Sequence, residues 1–511
     1  MKSDKQGVEI DRGLKLIVKS SMIVFIGLFL SKLLTYIYKI IIARYYGPEV
    51  YGIFSLAFMI VTLFVAFSSF GFADGLVRYI SLFRGKKDIN KIKYLLKESL
   101  IITIISGIIS GIILFLLSEF IAVTLFHNSN LIIFLKIFAF LVPFYMLANI
   151  FLGVLLGYER VSDYSFISNI FQNLAKVVLI IIFIFIGLKN EAIIFSYFIG
   201  VFSMFLIGYY ICKYKLPEIF VKSDLNDKEK IKLKREFFSY SWPVLFLSVI
   251  NFIFSWTDSF LIAYYKDVFS VGLYNAAFSI AALMGFVPEL FRQIFLPLIT
   301  KEYSKKNFEV IKQLSKQSAK WIFMLNLPVF LILFLFPGAI INILFGPDFI
   351  SSYNVLRILA VAGIFSSFAL LLTNMILMTG RSKIILWNLL VFSALNIILN
   401  VMLIPTMGIN GAALATTISI ILMNLVLFIE VKHYTGLIPL KSKMINIFLI
   451  SFIPTIIVII LREVIKNSTM NVVFTGVFFF LLYFCLLLLS NSFDKNDLMV
   501  LKTIKNKFIK T

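Results

Sequence analysis

The chain carries much the same sequence twice. Residues 81–99 read SLFRGKKDINKIKYLLKES, and residues 300–318 read TKEYSKKNFEVIKQLSKQS, with seven of nineteen positions identical at an offset of 219. The offset returns at Leu125-Phe126 against Leu344-Phe345. Tyr51-Gly-Ile-Phe-Ser-Leu-Ala-Phe58 matches Val271-Gly-Leu-Tyr-Asn-Ala-Ala-Phe278 at 220, and Gly187 and Ala192 match Gly408 and Ala413 at 221. A nearly constant offset at separate places marks a tandem duplication, and a long repeat constrains the fold more than any local pattern.

Each copy is strongly apolar. The 511 residues are 60% hydrophobic and 14% charged, with 57 Phe. Apolar runs long enough to span a bilayer recur along the whole chain, which predicts an all-α polytopic membrane protein. Fourteen spans are expected, near 20–43, 51–77, 98–118, 131–156, 165–187, 191–212, 237–264, 271–297, 319–343, 352–379, 384–405, 409–431, 444–461 and 470–490. The first six map onto the next six through the repeat, and the last two have no counterpart. The expected division is therefore an N-lobe at 1–212, a cytoplasmic linker at 213–236, a C-lobe at 237–431, and a region 432–511 holding spans 13 and 14 and a cytoplasmic tail. The first apolar run, 22–42, is too long for a signal-peptide core, so no cleaved leader is expected. Cys212 and Cys485 offer no disulfide framework.

The formal charge of +22 could suggest nucleic acid, but its distribution points to membrane orientation. With the N-terminus inside, 37 Lys and Arg fall in inner segments and 5 in outer ones, the bias that sets topology. Both termini are then cytoplasmic, in a multi-pass protein of the cell membrane whose basic loops meet anionic headgroups. Six spans per copy, an even number, give both copies the same orientation. They are parallel repeats, a plan that suits alternating access to a central cleft.

A charge at the bilayer centre costs at least about 2.5–3.5 kcal/mol, so ions within spans are candidates for function. The first copy holds Lys32 and Lys39, which share a helix face seven residues apart, with Lys136 and Lys176. Asn169, Gln172 and Asn173 fall on the stripe of Lys176. No acid lies deep enough to neutralise these lysines. Snorkelling to an interface is the competing reading, above all for Lys39 and Lys136. Asp74 and Arg78, four apart, read either as a helix-surface pair or as a substrate contact. The second copy is different in character, with Asp258, Asn396, Asn400 and Thr416. Carboxylate, amide and hydroxyl oxygens suit a small hard cation or a proton relay. The plainer alternative is interhelical hydrogen bonding worth about 0.6 kcal/mol per contact. No metal site is firm. Two GxxxG matches, Gly107–Gly111 and Gly153–Gly157, predict close helix packing.

Much chemistry is missing. There is no Walker A motif, no HExxH, no nucleophile elbow, and the two histidines, His127 and His433, are far apart in sequence. No loop is large enough for a catalytic domain. The chain reads as a carrier rather than an enzyme, with no cofactor beyond a Na+ or H+ gradient as the candidate driving force.

Ala43-Arg-Tyr-Tyr-Gly-Pro-Glu-Val-Tyr-Gly-Ile-Phe-Ser-Leu-Ala57 and Phe70-Gly-Phe-Ala-Asp-Gly-Leu-Val-Arg-Tyr-Ile-Ser81 resemble the opening of Wzx-type oligosaccharide-lipid flippases. These belong to the multidrug/oligosaccharidyl-lipid/polysaccharide exporter superfamily. Leu344-Phe-Gly-Pro-Asp-Phe349 and Gly408-Ile-Asn-Gly-Ala-Ala-Leu-Ala415 are similar to later family segments. The resemblance implies a fold like that of MATE exporters and the MurJ flippase, with two six-helix lobes and two extra C-terminal helices. It implies translocation of a polyprenyl-pyrophosphate-linked oligosaccharide from the cytoplasmic to the outer leaflet by alternating access. Lys32, Lys39, Lys136 and Lys176 would hold the pyrophosphate, a dense anion that needs cationic partners. Asp258, Asn396, Asn400 and Thr416 are similar to the sodium site of the lipid II flippase branch, except that Asn400 stands where an acid is expected. A lipid II flippase, or a related ion-coupled exporter, is the alternative reading. Implied partners are the lipid-linked oligosaccharide, membrane lipids, and a glycan polymerase or glycosyltransferases, with no nucleic acid.

Overall fold

The computed structural model describes residues 2–464, 469–490, 492–494 and 497. Its regular elements are all helical, with no strand among the described residues. Packing divides the chain into two compact units, one of Gly27–Gly272 and one of the described residues on either side of it.

The first unit takes up α1 (Lys2–Ser68) from Gly27 onward; this helix is continuous except at Gly47, whose φ of 80° breaks it just before Pro48. Proline lacks the N–H the helix needs, and glycine tolerates the positive φ, so the pair separates two helices placed end to end. A second break follows at Phe70 and Gly71, with φ of 50° and 67°, before α2 (Phe72–Gly85). The expected span 51–77 is thus interrupted near its inner end. Next come α3 (Ile89–Glu119), prolonged by a π-helical turn Phe120–Leu125, then α4 (Leu131–Ala139) and α5 (Leu141–Gly157). The last two are bent 48° at Phe140, just ahead of Pro143. The short α6 (Val161–Ser165) runs through a π-helical turn, Phe166–Phe171, into α7 (Gln172–Phe185), and α8 (Glu191–Lys215) follows.

Both GxxxG matches mark close crossings. A methyl group on Gly107 would lie 2.9 Å from the Pro143 Cα, and one on Gly111 would lie 2.7 Å from the Ala139 carbonyl oxygen. Gly153 and Gly157 of α5 meet Ala73 and Ile80 of α2 equally closely. Small residues let backbones approach where lipid supplies no hydrophobic drive for association.

The connection 213–236 is ordered against this unit. Its 3-10 turn Pro217–Phe220 packs on α3, and the Ser223 hydroxyl donates to the Asn90 carbonyl at 2.9 Å. A capping box between Asn226 and Glu229 then starts α9 (Asp227–Tyr265). By the repeat α9 belongs to the second copy, yet it packs within the first unit. Phe237 lies 5.3 Å from the Phe72 ring, and the Tyr79 hydroxyl donates to the Glu236 carbonyl. Gly71 accommodates the Ser241 carbonyl, and Trp256 meets Phe58 edge to face at 5.7 Å. The packing boundary therefore falls at Gly272, inside α10 (Val268–Ala281), and not in the expected linker.

The second unit continues with α11 (Phe286–Ser304), α12 (Phe308–Leu335), α13 (Pro337–Leu344), a 3-10 turn Pro347–Ser352 and α14 (Tyr353–Leu377). It ends with α15 (Ser382–Met407), α16 (Ile409–Thr435), α17 (Lys443–Val464) and α18 (Thr469–Leu489). α14 is central, packed against α11, α12 and α16. Its Leu371, Leu372, Met375 and Ile376 form a core with Leu314 and Ile322 of α12 and with Tyr483 of α18. The Asn326 amide nitrogen donates to the Met284 carbonyl and to the Ser367 hydroxyl, pairing its buried N–H groups.

Beyond α18 the chain returns to α12. Asp497 accepts from Lys320 at 2.5 Å, Gln317 at 2.5 Å and the Trp321 indole at 2.6 Å. Asp494 pairs with Lys320 at 3.2 Å, with Lys443 at 2.9 Å, and with Lys441. Lys320 is wholly buried, and two carboxylates compensate it. The remainder of the expected tail, 498–511, lies outside the described residues.

Among the described residues, eleven helices are long and apolar enough to cross a membrane, or twelve with α4 and α5 taken as one bent span. Fourteen were expected. The run Phe29–Ser68 counts once although Gly47 divides it, and the apolar part of α18, Phe474–Leu489, is shorter than a standard span.

Candidate functional site

The first unit holds all four candidate lysines, and the helices separate them into two groups. Lys176 of α7 is buried. Its stem crosses Gly200 of α8 so closely that a methyl there would lie 2.5 Å from the lysine Cγ. Its ammonium sits over the Tyr197 ring, 4.4 Å from the centroid, a cation–π contact. Tyr197 stands in an aromatic cluster with Phe54, Phe58 and Phe138 at 5.4–5.7 Å. Tyr38 of α1 joins it at 6.5 Å and shares a hydrogen bond with the Ser196 hydroxyl at 3.0 Å. Among the described residues no carboxylate lies within ion-pair distance of Lys176. The site is a buried cation over one aromatic face, with no acid paired to it among the described residues.

α1 meets the π-helical turn Phe166–Phe171, which leads into α7, where the Ser31 hydroxyl approaches the Asn169 amide oxygen at 3.5 Å. Lys32, next to that contact, is exposed. Lys39, one residue past Tyr38, is half-buried with its ammonium 6.0 Å from the Tyr36 ring. Lys32 and Lys39 therefore lie on a helix that touches the turn leading into the helix of Lys176. Lys136 is not part of this group. Phe138 faces Tyr197, so Lys136, two residues back on α4, faces away and lies 5.6 Å over Phe115. Phe115 lines an apolar groove of about 360 Å³ with Ile108, Ile112 and Phe140, a lipid-like surface. Snorkelling along that surface accounts for Lys136.

Asp74 and Arg78 form no ion pair. The Arg78 guanidinium stacks instead over the Tyr240 ring of α9, 4.1 Å from its centroid.

In the second unit, three of the oxygen-bearing candidates come together. The Asn396 amide donates to the Thr416 hydroxyl at 3.1 Å, and the Asn400 amide donates to the Asn396 side-chain oxygen at 3.1 Å. Asn400 is fully buried and Asn396 and Thr416 nearly so. The fourth candidate, Asp258, is buried on α9 in the first unit. Among the described residues no group of three or more His, Cys, Asp or Glu could hold a metal ion. The Asn396, Asn400 and Thr416 group offers neutral oxygens alone.

Tyr197, Ser196 and Gly200 were not singled out from sequence. With Ile193 they form an i, i+3, i+4, i+7 stripe on α8, a signal visible before the structure but weak within so apolar a helix.

Two copies of an apolar helical unit with cations inside its spans have the character of a multi-pass membrane transporter. Residues 17–301 match the model of the polysaccharide biosynthesis protein family, and residues 243–402 match the MatE model. The chain belongs to the polysaccharide biosynthesis protein family, flippases of the multidrug/oligosaccharidyl-lipid/polysaccharide exporter superfamily. It is 22% identical to the lipid II flippase MurJ of Bacillus subtilis, covering 82% of this chain and 83% of that one. It is 21% identical to a putative O-antigen transporter of Shigella flexneri, covering 76% and 90% respectively. A solved structure of MurJ in an inward closed conformation shares the fold, with a TM-score of 0.73 at 18% identity over 91% of this chain and 98% of that one.

Proposed function

We propose that the protein translocates an oligosaccharide linked to a polyprenyl pyrophosphate from the cytoplasmic to the outer leaflet of the cell membrane, by alternating access. The carrying observation is Lys176, a buried ammonium over Tyr197 without an acid to compensate it among the described residues. A buried cation is costly unless a partner arrives, and a pyrophosphate is such a partner. Lys32 and Lys39 on the adjoining helix extend the cationic surface. The names of relatives that handle lipid II and O-antigen support a saccharide-bearing lipid as the cargo class. In this reading glycosyltransferases supply the cargo, a polymerase consumes it, and both termini lie in the cytoplasm. Lys32→Ala and Lys176→Ala should abolish delivery of glycan to the outer leaflet while the protein still inserts. Normal delivery in both variants overturns the assignment.

Cation coupling belongs to the same proposal. Asn396, Asn400 and Thr416 offer oxygens in the second unit and Asp258 offers a carboxylate in the first, with Na+ or H+ as the driving ion. Asp258→Asn should remove the dependence of flipping on the ion gradient, and an unchanged dependence overturns this part.

A second reading, a lipid II flippase, is favoured by the likeness to MurJ in sequence and fold. Rescue of a strain lacking its lipid II flippase would support it over the first.

A further inference from the structure

Away from the lysines of the proposed pyrophosphate site, the basic end of α3 forms a groove with the strap that precedes α9. Its volume is about 550 Å³. One wall is a single stripe of α3 in which Lys93 and Lys97 lead into Leu100, Ile101 and Ile104. The other wall is Ile219–Ser223, with Lys222 facing the first two lysines across the opening. Buried Ile219 and the hydrogen bond from Ser223 to Asn90 hold the strap in place, so the groove is built into the fold.

The charges are sorted. Nearby Lys91 and Lys234 are already paired, with Asp88 at 2.6 Å and with Glu98 at 2.8 Å. Lys93, Lys97 and Lys222 have no ion pair among the described residues, and no acid lines the groove. From Lys93 to Ile104 the stripe runs about 16 Å at 1.5 Å per residue. It passes from cations at the inner end of α3 to isoleucines that are about half exposed at the depth of hydrocarbon. Three cations above an apolar trough match the shape and charge of one amphiphile, with a phosphate at the top and an acyl chain below.

We propose that this groove is a binding site for an anionic phospholipid, which seats its phosphate among Lys93, Lys97 and Lys222 and lays one chain along Leu100, Ile101 and Ile104. The occupant is a resident lipid that braces the strap between α8 and α9, and not the transported cargo.

The test uses the full-length protein in nanodiscs of phosphatidylcholine doped with phosphatidylglycerol. Retained lipid is counted by native mass spectrometry. A basic residue near an anionic surface contributes about fivefold in affinity, so the triple variant K93Q/K97Q/K222Q should lose phosphatidylglycerol retention by tenfold or more. K86Q/K87Q, which removes two exposed lysines from the neighbouring turn, should retain it as wild type does. Ile104→Trp, which fills the trough and leaves every charge, should also weaken retention and guards against misfolding of the triple variant. Equal loss in the K86Q/K87Q control would reduce the effect to general surface charge and overturn the proposal. So would unchanged retention in the triple variant, or displacement of the bound lipid by a soluble prenyl pyrophosphate.

Discussion

Gly52 and Gly272 lie backbone against backbone. A methyl on Gly52 would fall 2.0 Å from the Val268 carbonyl oxygen, and a methyl on Gly272 would fall 2.0 Å from that of Pro48. The two glycines are equivalent in the repeat at an offset of 220, and so are Pro48 and Val268. The contact is thus reciprocal, as in an isologous dimer interface joined into one chain. Gly52→Ala and Gly272→Ala should each cost about 1–3 kcal/mol, the range for overpacking. Separating the helices relieves both clashes at once, so the double variant should cost less than the sum. Thermal melting of the singles and the double in detergent tests this.

Gly200→Ala should impair transport out of proportion to stability. The added methyl meets the Lys176 stem at 2.5 Å and would push the ammonium off the Tyr197 face. Glycan delivery should fall at least tenfold with melting little changed. Tyr197→Leu should act in the same direction by removing the ring itself.

Asp497→Ala should loosen the polar seam between α12 and the segment after α18. It strips an acceptor from Lys320, Gln317 and Trp321 together. Breaking a buried pair by removing one partner costs about 3–5 kcal/mol. The expected sign is faster proteolysis just beyond α18, with α1 to α8 still protected.

Asp494 gives the same seam a pH dependence. Burial pushes its carboxyl up, but hydrogen bonds from Lys441 and Lys443 and the charge of Lys320 outweigh this and hold it at about 2. The folded value lies below the ordinary 3.8, so the stabilisation is complete above about pH 4 and is lost as pH falls toward 2. The difference in melting temperature between wild type and Asp494→Asn should shrink over that window and stay constant from pH 5 to 8.

What was legible in the sequence were features with a local signature. The GxxxG pairs and the helical plan depend on spacing within one helix, and the structure follows them at Gly107, Gly111, Gly153 and Gly157. The intramembrane lysines were legible as a set, but not which of them share a site. Lys136 and Lys176 look alike in sequence, and only the direction each helix face takes separates Phe115 from Tyr197 as the neighbour. Asp74 and Arg78 had the spacing of a pair, but Tyr240, 162 residues further on, competes for the guanidinium with a flat aromatic face. The placement of α9 was hidden for the same reason, because the repeat records ancestry while packing depends on contacts such as Phe72 with Phe237. Lys320 carries no local signature of its role, since its partners stand 174 and 177 residues away.

The seam at Lys320 bears on how this protein should be handled at the bench. A reporter or affinity tag joined directly after α18 would delete Asp494 and Asp497 and leave a wholly buried ammonium with no counterion from that segment. Such a fusion would report on a damaged molecule, and low expression could be mistaken for the wrong orientation. Tags belong at the far end of the sequence, where the fasteners on α12 stay closed.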